Sequence, residues 1–306
     1  MIRVLKTDLF RLFRSKAFYA FPISLVIFFT LEMMFSAVIN EVESGQTADT
    51  EISQIETETA QTGPDSGVTA EITVSVDTQA GSDTAKNKNY TGFGIKDLFG
   101  SLTDGLLLLF LGITAVIFAT CETRNGFVKT AAGCISDRGF MPLSKIAAGI
   151  VTLAVYIVEF AVIRFAFTAL TALLSGKPLK FVPLPEGDAG KYTIYILICI
   201  LVHIAMIALM SLLHELTHNR AAGIVTIFIV SMGLIGQILM ALMDVFKSMT
   251  GLLKDFDISK YLMINNITEG YNAPRFHASI TFVISLIYLI GGTLLSVWLA
   301  KRKDIR

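Results

Sequence analysis

Residues 192–220, YTIYILICILVHIAMIALMSLLHELTHNR, carry both the fold and a puzzle. From 192 to 213 the run is apolar, and a helix of that length can cross a hydrocarbon core about 30 Å thick. It then ends in His214-Glu215-Leu216-Thr217-His218. Those five residues fit H-E-x-x-H, in which two imidazoles one turn apart hold zinc beside a glutamate base. The stretch reads either as a membrane span that ends in a polar turn or as part of a zinc enzyme.

The rest of the chain resembles the apolar half of that stretch. Of its 306 residues 53% are hydrophobic and 16% charged, with mean hydropathy +0.65. A soluble domain carries about a quarter charged residues. Six apolar runs, 17–40, 101–121, 146–174, 192–213, 221–243 and 277–299, are separated by polar patches. Backbone groups in lipid must be satisfied internally, so each run predicts a helix. Residues 1–16 form an amphipathic helix, with Ile2, Leu5, Leu9, Leu12 and Phe13 on one stripe and Arg3, Lys6, Arg11 and Arg14 off it. Such a helix lies in the membrane interface, with its basic face among head groups; a basic leader without fixed structure is the plainer reading. The expected fold is an all-α polytopic membrane protein: an N-terminal interfacial helix plus six transmembrane helices, with a long polar extracellular loop after the first span. The whole chain, 1–306, is expected to form a single transmembrane domain.

Basic residues orient it. With the N-terminus inside, segments 1–16, 122–145, 214–220 and 301–306 hold 14 Lys and Arg in 53 residues, against 10 in 106 for 41–97, 175–191 and 244–275. Both termini are therefore expected in the cytoplasm. Loop 41–97 has 11 acidic and 3 basic residues. Within it Ile72, Val74 and Val76 alternate with polar residues as in a half-buried strand, so either a small subdomain or an unstructured acidic loop fits. Net charge is zero and pI about 6.9, which points away from nucleic acid. Cys121, Cys134 and Cys199 fall in apolar or membrane-adjacent sequence and imply no disulfide framework. The first apolar run is too long for a cleavable signal and lacks a cleavage pattern.

Charges in or beside the spans are Glu32, Asp104, Glu159 and Arg164. Ionisable groups at membrane depth are costly and default to functional hypotheses. Asp104 sits near a boundary, where snorkelling explains it. Glu159 and Arg164 lie deeper, five residues apart, and so point to different sides of one helix. Each faces a neighbouring helix or a wet cavity, as part of a translocation path or as half of a structural pair. Gly233, Gly236, Gly291 and Gly292 let helices approach closely.

Between the second and third runs the chain reads CETRNGFVKTAAGCISDRGFMPLSKIAAGIV. Glu122, Asn125, Gly126, Lys129, Gly133, Ile135, Ser136, Arg138 and Lys145 occupy the places of an acidic residue, Asn-Gly, a basic residue, Gly, Ile-Ser, Arg and a final Lys. This resembles the permease subunits of type II ABC exporters, the bacterial family of antimicrobial-peptide immunity and efflux permeases. The stretch from Ser136 to Lys145 is somewhat longer than the family's pattern. The resemblance extends to an elbow helix, six spans, inner termini and a short inner loop between spans four and five. It implies that 122–145 is a cytoplasmic coupling loop for a cytosolic ABC ATPase dimer, in a bacterial plasma membrane. A second copy of the permease, or a homologous permease, would complete the complex. The chain has no G-x-x-x-x-G-K-[ST] loop, so ATP would be bound by the partner subunit and this chain would not be an enzyme. No cofactor of its own is expected.

Two rivals remain. A sensor would need an output module, and the cytoplasmic segments are short. An intramembrane zinc metalloprotease would need a third protein ligand. The chain has four histidines. His203 precedes His214 by 11 residues on the same helix, about 16 Å along the axis. His277 and Asp244 belong to the opposite face, about 30 Å away. Only carboxylates such as Asp8, Glu122, Asp137 and Asp304 remain, none in a ligand motif. Asn219 and Arg220 suit a cytoplasmic turn, so no catalytic metal is expected.

Overall fold

The structure, a computed structural model, describes residues 2–49, 90–103, 105–124, 139–185, 187–217, 219–250, 258–262, 267 and 276–302. The chain begins with α1 (Ile2–Arg14) and, after a tight turn, α2 (Ala20–Asp49). Leu5, Leu9 and Leu12 of the expected stripe turn inward, onto protein rather than lipid, while Phe10 and Phe13 face out. Asp8 shares the inward face and is buried. α2 runs nine residues past the expected end of the first span at residue 40. Pro22 sits in its first turn, where a missing N–H leaves no bond unmade.

α2 lies along α5 (Phe140–Leu174), whose 35 residues exceed the thickness of a bilayer core. Phe21 stacks on Tyr156 at 4.4 Å, and Phe29 meets Phe160 at 5.8 Å and Phe167 at 5.6 Å, so the two helices run in the same direction. The Tyr156 hydroxyl donates to the Phe18 carbonyl at 3.1 Å and hydrogen-bonds Thr114 at 2.9 Å. Thr114 belongs to α4 (Gly105–Arg124), and it also donates to the Ala17 carbonyl at 3.3 Å. The turn between α1 and α2 is thus pinned by two hydroxyls from other helices.

α6 (Ala189–Thr217) is the central helix, buried on several sides by α4, α5 and α9 (Ala278–Arg302). Gly149 of α5 opposes Ile207, and a Cβ there would come within 2.6 Å of it. Gly292 of α9 opposes Ala208, and Ser296 hydrogen-bonds Ser211 at 3.2 Å, so α6 and α9 run parallel. Parallel neighbours require the chain to recross between them.

That crossing is α7 (Arg220–Ser231) and α8 (Leu234–Thr250). The expected single span 221–243 is in fact broken: the two helices meet at 65°, with Gly233 at φ +69° in the hinge. This left-handed conformation suits glycine, which has no Cβ to clash. α7 packs antiparallel to α4 through glycines on both sides: Gly112 against Ile227, and Gly223 with its Cβ position 2.6 Å from Val116. Asn219 caps α7, its Oδ1 accepting from the Ala221 N–H at 2.9 Å, as a turn residue at that position should.

The helical class holds, with one addition. Strands β1 (Thr91–Gly94) and β2 (Leu179–Val182) form a parallel pair. β1 leads through α3 (Ile95–Phe99) and a 3-10 turn into α4, whereas β2 follows α5. Three helices, α5, α6 and α9, are long and apolar enough to cross a membrane, and up to five spans result if each bent pair counts as one: residues 95–102 with 105–120, and α7 with α8. The described apolar part of α2, Ala20–Phe35, is shorter. The candidate strand around Ile72, Val74 and Val76 lies outside the described residues, as does Asp104.

Candidate functional site

The ends of the helices bring charges together. At the first turns of α5, the Ser144 hydroxyl donates to Asp8 Oδ2 at 2.6 Å. Next to it, Lys145 Nζ lies 3.7 Å from Glu215 Oε1 in the last turn of α6, both side chains about nine-tenths buried. Burial makes such a pair costly unless both partners are present. Asp8, Ser144, Lys145 and Glu215 therefore knit α1, α5 and α6 at one end of the bundle, here the α1 end. β1 and β2 close the opposite end of α5.

This pairing bears on the H-E-x-x-H stretch. Glu215, the base in a zinc enzyme, faces Lys145. His214 is buried beside it, and His218 lies outside the described residues. Among the described residues no group of three or more His, Cys, Asp or Glu is arranged to hold a metal ion.

Glu122 falls in the last turn of α4. Asn125, Gly126, Lys129, Gly133, Ile135, Ser136 and Arg138 lie outside the described residues. The structure places the two ends of that connection, Arg124 and Phe140, and the lysine that closes the motif, Lys145.

Arg164 and Glu159 point apart, as their spacing requires. Arg164 Nη1 bonds Glu32 Oε2 at 3.1 Å and Oε1 at 3.4 Å, and its guanidinium lies over the Phe29 ring at 5.0 Å. Both charges belong to the half-exposed edge where α2 meets α5. Two opposite charges in the first and third spans signal this pair in the sequence, though not its register. Glu159 instead shares a face with Thr152 and Lys145, at seven-residue intervals on α5. Its Oε2 is enclosed and has no hydrogen-bond partner.

Two cavities flank α6. A small one of about 20 Å³ lies among α1, α4, α5 and α6, with Thr114, Lys145, Thr152 and Ser211 as its polar lining. A larger one of about 330 Å³ is walled by α6, the α7–α8 break and α9; Met210, Leu213, Val230, Gly233 and Gly236 line it, with Thr226 and Tyr288 as polar groups. Sequence reasoning placed Gly233 and Gly236 in helix packing, whereas the structure places them at the hinge and the cavity wall. It missed Gly112, Gly149 and Gly223, which lie singly in apolar runs and show their role only against a partner helix.

No family model, curated protein or solved structure matches the chain.

Proposed function

We propose that the chain is the membrane-spanning subunit of an ATP-driven exporter, crossing a bacterial plasma membrane six times with both termini in the cytoplasm. It moves an amphipathic peptide, lipid or similar substrate outward, and a separate ATPase dimer docks on 122–145. The observation that carries the transport reading is the broken α7–α8 crossing beside the 330 Å³ cavity. Discontinuous helices next to an apolar cavity at membrane depth are how transporters build substrate sites.

The docking half rests on the residues Glu122 to Arg138 and on placement. α1, the start of α5, the α6–α7 turn and, through the parallel packing of α9, the C-terminal helix end all gather at the α1 end. Those are the basic segments. Glu122, Asn125, Gly126, Lys129, Gly133, Ser136 and Arg138 would contact the ATPase, and a second permease would complete the translocation path near Glu159 and Arg164. Lys145 beside Glu215 favours this reading over the zinc protease.

The test is co-purification from native membranes. An ATP-binding subunit should accompany the wild-type chain and be lost from Gly126→Pro and Glu122→Arg variants that still insert, since proline breaks a short helix and charge reversal repels a partner. A wild-type chain that purifies without any ATPase, or variants that retain it, would sink the reading.

A further inference from the structure

The α5–α6 seam carries polar groups from both helices. On α5, Lys145, Thr152 and Glu159 recur every seven residues, each step rising about 10 Å. On α6, His203 precedes Ile207 by one turn, and Ile207 opposes Gly149, so the imidazole lies on the face turned to α5. His203 is fully buried. Its Nδ1 donates to the Cys199 carbonyl at 2.8 Å, which leaves Nε2 as the lone-pair acceptor of a neutral ring, with no hydrogen-bond partner. The cavity between the Lys145 and Thr152 levels has room for one water, and Thr114, Thr152 and Ser211 supply the two to four polar partners that a buried water needs. Thr114 in turn bonds Tyr156, one turn from Glu159.

We propose that Glu159 is a proton-binding site at membrane depth, reached from the α1 end along this seam. A hydronium at that end gives its proton to the cavity water. Hydroxyl groups along the seam pass it on, and an O–H bond forms on the Glu159 carboxylate as the last donor O–H breaks. The net change is one proton bound and one carboxylate charge neutralised, with no oxidant or reductant. That relieves the cost of a carboxylate oxygen, Oε2, enclosed without a donor. The inference is independent of the export reading.

Other charged and titratable groups sit on the elements packed against α5. On its own helix Arg164 is held by Glu32 of α2, and Lys145 by Glu215 of α6. α6 otherwise presents Tyr192, the buried free thiol of Cys199, His203 and His214 on this side. α4 carries no ionisable side chain from Gly105 to Thr120. From α3 come Lys96 and Asp97, the latter accepting from the Gly94 N–H at 2.8 Å. From α1 comes Asp8, whose Oδ2 accepts from Ser144 and whose buried Oδ1, at the α1 end, has no hydrogen-bond partner. α9 adds Tyr288 at mid-helix.

Infrared difference spectroscopy of the full chain in liposomes, after a step to lower pH, tests this. A carbonyl-stretch band of un-ionised carboxylic acid should rise in the wild type, vanish in Glu159→Gln and shift in Glu159→Asp. Thr152→Ala and Ser211→Ala, which fold with small side chains in place of hydroxyls, should each slow its rise about tenfold, the effect of one lost relay hydrogen bond. A band that survives Glu159→Gln, or a rise as fast as wild type in both alanine variants, would overturn the proposal.

Discussion

At the scale of single residues, the Lys145–Glu215 pair decides most. Both groups are buried, so removing one takes a facing charge from the other, whereas replacing both with apolar residues removes both charges. Lys145→Met or Glu215→Leu alone should destabilise by about 3–5 kcal/mol, and the double variant should recover most of it. Thermal unfolding in detergent reads this as a large drop in Tm for each single variant and a small one for the pair. The zinc motif has a direct test of its own. Purified protein should contain no stoichiometric zinc, and metal analysis of the wild type beside His214→Ala/His218→Ala should show no difference. Of these residues the sequence exposed the identities but not the partners. Glu32, Glu159 and Arg164 were visible as charges in apolar runs because a charge there stands out. Asp8 was hidden, since an acid among the basic residues of an amphipathic helix looks like ordinary surface, and only its helical phase with Leu5 and Leu12 hints that it turns inward.

At the scale of elements, hydropathy located the helices because lipid leaves no other way to satisfy a backbone. It could not show where a helix breaks. Gly233 in an apolar run reads as packing, and a left-handed φ becomes evident only in the folded backbone. Gly233→Ala should therefore cost about 1–2 kcal/mol through the added Cβ, whereas Gly291→Ala, which meets nothing within 4 Å, should be neutral. Gly223→Val belongs with the damaging changes, because its side chain would drive into Val116; overpacking of this kind costs about 1–3 kcal/mol. Midpoints of thermal unfolding should drop for Gly223→Val and Gly233→Ala, with Gly291→Ala matching the wild type. Equal midpoints for Gly233→Ala and Gly291→Ala would remove the hinge glycine's special status.

For the whole molecule, charge segregation predicts the orientation that geometry alone leaves open. In a thiol-free background, an impermeant reagent should label a cysteine at Ser66 from outside intact cells and leave one at Thr130 protected. The reverse pattern would invert the topology. The grouping of elements at the two ends was legible from the order of polar and apolar segments. The close approach of α4 to α7 was not, because it depends on which glycines face which neighbours.

The small parallel sheet fixes the far end of this arrangement. β1 and β2 tie the entrance of α4 to the exit of α5, so that end acts as a fulcrum. α5 is then a lever arm of 35 residues, about 52 Å long. A tilt of about 10° about the clasp would swing the Lys145 end by about 9 Å, carrying α1 with it through Asp8.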